Sequence, residues 1–121
     1  MKVISLIILI LLLTLNTVYA GQADVLKVEV EQTGENTFHF DVTVLHKDEG
    51  WDHYANKWDV VAPDGTVLAT RILHHPHENE QPFTRSLGGV KIPESVNKVS
   101  IRAHDSVHGF GGKIITLQLT R

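Results

Sequence analysis

From Asp24 onward the apolar residues of this chain recur at every second position, and turn-forming residues interrupt them about every ten. Val28 and Val30 alternate with Lys27, Glu29 and Glu31, and Phe38, Phe40, Val42 and Val44 alternate with His39, Asp41 and Thr43. A period of two sends successive side chains to opposite faces of an extended chain, so each run can cover a core on one face and meet water on the other. Thr33-Gly34-Glu35-Asn36 separates the first two runs, which predicts a hairpin. Pro63-Asp64-Gly65 separates Trp58–Val61 from Thr66–Leu73, with Pro presetting φ and Gly accepting positive φ. Further extended segments follow at Phe83–Leu87, at Val90–Ile92 after a Gly88-Gly89 break, at Val99–Ala103 and at Ile115–Leu119. No stretch carries helical periodicity. About seven short strands in about 100 residues predict an all-β fold, an antiparallel two-sheet sandwich of the immunoglobulin or fibronectin type III kind. Trp58 is its expected large core plug.

Residues 1–20 follow a different rule. Lys2 precedes an apolar run from Val3 to Leu13, and Val18-Tyr19-Ala20 ends the segment with small residues where a signal peptidase reads. The run is short for a membrane span, so cleavage after Ala20 is expected rather than an uncleaved anchor. The expected division is a signal peptide over 1–20 and a sandwich domain over 21–121, periplasmic or secreted, with no membrane attachment after cleavage. The formal net charge is −3 with His neutral, and removing Lys2 makes it more negative. Nucleic acid is therefore not an expected partner, because its binding needs clustered Lys and Arg. The chain has no cysteine, so neither a disulfide nor an acylated-cysteine anchor is available, and the core must suffice alone or be helped by a ligand.

Against that background the eight histidines stand out. His46, His53, His74, His75, His77 and His108 fall at predicted strand ends or in loops, and His104 closes a strand beside them. Imidazole is the commonest protein metal ligand and suits Zn(II) and Cu(II), whereas Cu(I) prefers sulfur ligands that a chain without cysteine, and with Met1 as its one methionine, does not offer. Candidate ligands are His46, His53, His75, His77, His104 and His108. His46 keeps the parity of Phe38 to Val44 and is expected to cap the core or look into a cleft. Sandwich connectivity should bring His46 or His53 near His104 or His108 at one end. His75 and His77 flank Pro76, and an i, i+2 pair in extended chain points to opposite sides, so one of the two is the safer ligand. Asp105 either orients an imidazole or, with Ser106, caps a turn. The glycines at 109, 111 and 112 let the backbone turn tightly or approach a partner. Gly21 as the expected N-terminus excludes a histidine brace on the terminal amine. If the site binds metal through neutral imidazoles, affinity should fall below about pH 6.5.

Glu78, Glu80 and Asp105 are candidate partners of the histidines or of Arg71 and Arg85. Arg71 shares parity with Val67, Ala69 and Leu73, so it is expected half-buried against a carboxylate, as an internal ion pair or an anion clamp. Trp51, Tyr54, Phe83 and Phe110 are the aromatic residues assigned to loops. They support the alternative reading, a non-enzymatic immunoglobulin-like accessory domain that contacts an exported protein, peptide or glycan. No Ser-His-Asp order, paired-carboxylate spacing or phosphate loop is legible, so catalysis is not the reading favoured.

The runs Trp51–Tyr54, Leu73–Leu87 and His104–Gly112 resemble those of small exported bacterial β-sandwich proteins of uncharacterised function. The resemblance implies a periplasmic or secreted home and carries no activity. Val107-His108-Gly109-Phe110 is also similar to a stretch of copper-zinc superoxide dismutases. Those enzymes follow it with a His-x-His pair and use a cysteine bridge, whereas Gly111-Gly112 follows here, so membership is not inferred.

Overall fold

A computed structural model describes residues 21–121. The predicted signal peptide lies outside the described residues. Eight strands follow in chain order: β1 Asp24–Gly34, β2 Thr37–Leu45, β3 Ala55–Val61, β4 Val67–Ile72, β5 Phe83–Lys91, β6 Lys98–Asp105, β7 Gly109–Phe110 and β8 Ile115–Gln118. They form two antiparallel sheets, one ordered β1-β2-β5 and the other β4-β3-β6-β7, with β8 also paired to β6. The fold is a β-sandwich. No helix among the described residues is long and apolar enough to cross a membrane.

The alternation in the sequence becomes the inner faces of the two sheets. Phe38, Phe40, Val42 and Val44 of β2 are buried against Trp58 and Val60 of β3 and Val99, Ile101 and Ala103 of β6. Trp58 is fully buried. The Gly88-Gly89 pair does not end a strand as expected. It sits inside β5 at a bulge, where the pairing shifts between Phe38 and Phe40, and Gly89 takes a φ of +66°. A left-handed glycine absorbs the extra residue of a bulge without breaking the ladder, so two predicted strands are one.

Three connections that cross between the sheets, or return within one, meet at a single end. Asp24 pairs with Leu45, Val44 with Phe83, Ala55 with Asp105, and Asp105 with Gly109. The N-terminal segment, the loop from His46 to Tyr54, the loop from Leu73 to Pro82 and the β6–β7 turn are therefore neighbours.

Arg71 is half-buried, as its parity requires, but its partner is not a carboxylate. Its guanidinium donates to the carbonyls of Ser86 at 2.9 Å and Ile72 at 2.7 Å. β4 and β5 are the edge strands of their sheets, and an edge offers unpaired carbonyls, so Arg71 joins the two edges instead of forming an ion pair. Arg85 does find an acid, donating to Glu80 Oε1 at 3.0 Å in an exposed pair. That hydrogen bond holds the Glu80 carboxyl below its usual pKa.

Candidate metal centre

The burial pattern of β2 continues past its last ladder residue. Phe38, Phe40, Val42 and Val44 are buried, and so are His46 and Asp48. The same parity on β6 buries Val99, Ile101, Ala103 and then Asp105. Two inward-facing rows thus end in polar residues at the same rim, where they face one another.

The chain after His46 folds back in a turn with Gly50 at φ +76°, closed by the Glu49 amide donating to the His53 carbonyl at 2.7 Å. This places His53 beside His46, with their Nε2 atoms 3.2 Å apart. Each ring is held from behind by an acid. Asp48 Oδ1 lies 2.6 Å from His46 Nδ1, and Glu49 Oε1 lies 3.0 Å from His53 Nδ1. A carboxylate only accepts, so in a neutral imidazole Nδ1 carries the proton and Nε2 presents a lone pair.

Two further acceptors lie near those nitrogens. The Gly21 carbonyl oxygen lies 3.2 Å from both His46 Nε2 and His53 Nε2. Asp105 Oδ1 is 3.3 Å from His53 Nε2, and Asp105 Oδ2 is 4.0 Å from His46 Nε2. Asp105 Oδ2 is buried with no hydrogen-bond partner. Four lone-pair groups facing one another at such distances repel unless a cation lies among them.

A proton or a metal ion meets that need. Burial alone would lower the pKa of His53, but the Glu49 and Gly21 hydrogen bonds and the negative charges of Asp105 and Glu49 outweigh it and raise the pKa. Asp105 is pulled the other way by burial. Even so, the amides of His108 and Val107, which donate to its Oδ1 at 2.7 and 2.9 Å, and the nearby imidazoles keep its pKa below the ordinary carboxylate value. The centre is therefore a fixed negative charge beside two aimed imidazoles. Asp105 Oδ1 caps the β6–β7 turn, and Oδ2 lies 4.0 Å from His46 Nε2.

The spacing of the two imidazole nitrogens suits a first-row ion. Ligands on metal–nitrogen bonds of about 2.0–2.1 Å in a tetrahedron stand about 3.3–3.4 Å apart. The Nε2 pair at 3.2 Å is close to that edge. Ligand atoms of His46, His53 and Asp105 all fall within 4.8 Å of one another. These three are the residues among those described that fit a metal.

The other candidate residues take different places. His108 lines the rim, with Nδ1 3.3 Å from Asp105 Oδ1 and its ring 5.0 Å from that of His53. His104 has the opposite parity to Asp105. It lies on the outer face of its sheet, bonded to Asn56 Oδ1 at 2.7 Å and packed on Phe110, and burial followed by the Lys57 charge lowers its pKa. His75 is exposed. His77 is buried and stacked on Phe83 at 4.1 Å, with both ring nitrogens unpartnered, and its contribution to the centre comes through its backbone. Its amide donates to Asp48 Oδ2 at 2.6 Å, while Gln81 accepts from the His46 amide and donates to the His77 carbonyl, each at 3.0 Å. The loop from Leu73 to Pro82 thus supports the acid behind His46. Glu78 is exposed and lines a cleft beside His46 with Gln22, Asp24 and Gln81.

Asp48, Glu49 and the Gly21 carbonyl were not among the sequence candidates. The His46-x-Asp48 spacing and the Glu49–His53 i, i+4 spacing are the signals that could have found the first two. The glycines at 111 and 112 explain the third. A Cβ on Gly112 would overlap the Ala23 carbonyl, and the Val25 amide donates to the Lys113 carbonyl at 2.9 Å. The close approach those glycines allow is to the chain's own N-terminal segment, which is laid across the site.

The loop aromatics also divide. Trp51 is exposed and meets Tyr54 edge-on. Phe83 belongs to the core rather than to a contact surface, because it is the first inward residue of β5. Phe110 lies under the Arg102 guanidinium at 3.9 Å.

No protein-family model matches the chain, and no solved structure matches it. A protein of Halomicrobium mukohataei named "Putative lipoprotein" is 38% identical over 96 residues, which is 79% of this chain and 47% of that protein. The chain spans about half the length of this relative.

Proposed function

We propose that this is an exported protein that binds one Zn(II) or Cu(II) ion through His46, His53 and Asp105 at the rim of a β-sandwich. One observation carries the reading: two imidazole Nε2 atoms 3.2 Å apart, each backed by a carboxylate, lie beside the buried Asp105 carboxylate, Oδ1 3.3 Å from His53 and Oδ2, which has no hydrogen-bond partner, 4.0 Å from His46. Carboxylate-backed histidine is the arrangement that orients metal ligands and raises their basicity. Export is supported by the leader-like first twenty residues and by the name of the Halomicrobium relative. The ion would gain two neutral nitrogen donors and one anionic oxygen. The chain's own residues hold those donors in place and keep Asp105 ionised.

Calorimetric titration of the protein with Zn(II) and with Cu(II) tests this. One ion per chain is expected, with binding lost in His53→Ala. His53 is partly exposed, so that variant keeps the core intact. Failure of both ions to bind at stoichiometric concentration would refute the proposal. Trp51, which is 66% exposed at the same rim, favours a second reading, an accessory domain docking an exported protein or glycan there. That reading requires no metal heat and a partner whose binding is lost in Trp51→Ala.

A further inference from the structure

Gly21 is the residue where two independent lines meet. In sequence it follows Ala20, the position after which signal peptidase is expected to cut. In space its carbonyl oxygen is one of the four acceptors around the proposed ion, 3.2 Å from each of the two Nε2 atoms. The His108 ring covers its Cα so closely that a Cβ would lie 2.6 Å from Cε1 and 3.0 Å from Nε2. His108 is itself tethered to Asp105. A side chain at residue 21 would therefore require the His108 ring to move off the centre.

Resting on the metal-binding reading above, we infer that signal-peptide cleavage completes the centre, with the freed α-amine of Gly21 joining its carbonyl oxygen as a chelating pair on the ion. Before cleavage the Gly21 nitrogen is an amide, and its lone pair is delocalised into the Ala20 carbonyl. Water, added by the peptidase, breaks the Ala20–Gly21 bond to give the Ala20 carboxylate and a Gly21 ammonium. That ammonium, with an ordinary pKa of about 7.7–8.0, releases one proton to solvent when it binds metal. Covalent geometry keeps the amine nitrogen within about 2.7–3.6 Å of the carbonyl oxygen of its own residue, so a five-membered ring of metal, N, Cα, C and O can close. The donor set is then two imidazoles, one amine and oxygen. The unprocessed chain lacks the amine and would bind weakly, so the full-strength site would form only after export. The N-terminus contributes through its backbone, unlike a brace that needs a histidine at position one.

The test uses the processed protein recovered after export, compared with a variant carrying one Ser inserted between Ala20 and Gly21. In that variant the Gly21 nitrogen stays an amide after processing. Intact mass should place the native N-terminus at Gly21. Cu(II) should bind the native protein at least about tenfold more tightly than the insertion variant, the loss being no smaller than that for removing an outer-shell support. Electron–nuclear double resonance of protein grown with ¹⁵N-glycine should show a directly bound glycine nitrogen in the native protein and none in the variant. His53→Ala should abolish tight binding in the native protein. Equal affinities with no glycine coupling would overturn the inference and leave the two-histidine site standing. Binding that survives His53→Ala would overturn it as a generic terminal-amine effect, and so would an N-terminus other than Gly21. No Cu(II) binding by either protein would remove the metal-binding reading itself.

Discussion

Asp48→Asn isolates the support behind His46, because the Asp48 side chain is completely buried and each of its oxygens is committed. Oδ1 accepts from His46 Nδ1 at 2.6 Å and from the Ala55 amide at 3.0 Å, and Oδ2 accepts from the His77 amide at 2.6 Å. An amide keeps one acceptor and replaces the other with a donor. With its oxygen toward His46 and Ala55, its NH2 faces the His77 N–H. With the groups exchanged, it faces Ala55 and forces the proton of His46 from Nδ1 to Nε2. Either orientation leaves at least one buried N–H unsatisfied, costing about 1–3 kcal/mol, and weakens charge-assisted bonds by about 1 kcal/mol more. The expected loss of about 2–4 kcal/mol is large against a total stability of about 5–15 kcal/mol. In urea, with a slope of about 1–3 kcal/mol per molar, the unfolding midpoint should fall by roughly 1–3 M. Metal affinity, measured on the folded variant, should fall about 10–100-fold. Glu49→Gln is the comparison: Glu49 is 61% exposed, so stability should move by less than about 0.5 kcal/mol while affinity still drops. An Asp48→Asn midpoint within about 0.3 M of the native value would refute the idea that this carboxylate joins the three segments.

His75→Ala and His104→Ala should leave Zn(II) or Cu(II) affinity unchanged in calorimetry, since one is exposed and the other is on the outer face; a tenfold loss in either would move the centre. Burial, then the charges of Arg85 and His75, lower the pKa of His77 in the folded state. Its unfolded form therefore takes a proton below about pH 6.5 while the folded form resists, and stability drains away as pH falls through that range. His77→Phe keeps the stack on Phe83, so its unfolding midpoint should drop less than that of the native protein between pH 7 and 5; equal acid sensitivity would count against this account. Gly112→Ala should destabilise the domain, because the new methyl collides with the Ala23 backbone rather than with a flexible side chain, and a thermal melt unchanged within error would contradict that packing.

Alternation by itself determined much of this molecule. Phe38 to Val44 and Val99 to Ala103 could be assigned to inner faces from spacing alone, because a strand's geometry has only two sides. Carried further, the same parity reaches His46 and then Asp48 beyond the end of β2, and Asp105, not His104, at the end of β6. His104 was the candidate that parity opposed, and it lies outside. Gly88-Gly89 read as a break because sequence does not distinguish a bulge from a turn when both use positive φ. What the tertiary structure decided is which rims meet. Residues 21, 46, 53 and 105 are brought within a few ångströms by the crossing from β2 to β3, the β6–β7 turn and the packed N-terminal segment, and no local pattern encodes their separation. A carbonyl oxygen such as that of Gly21 has no signature in the sequence, since every residue has one, and only the packed path of the chain gives it a role.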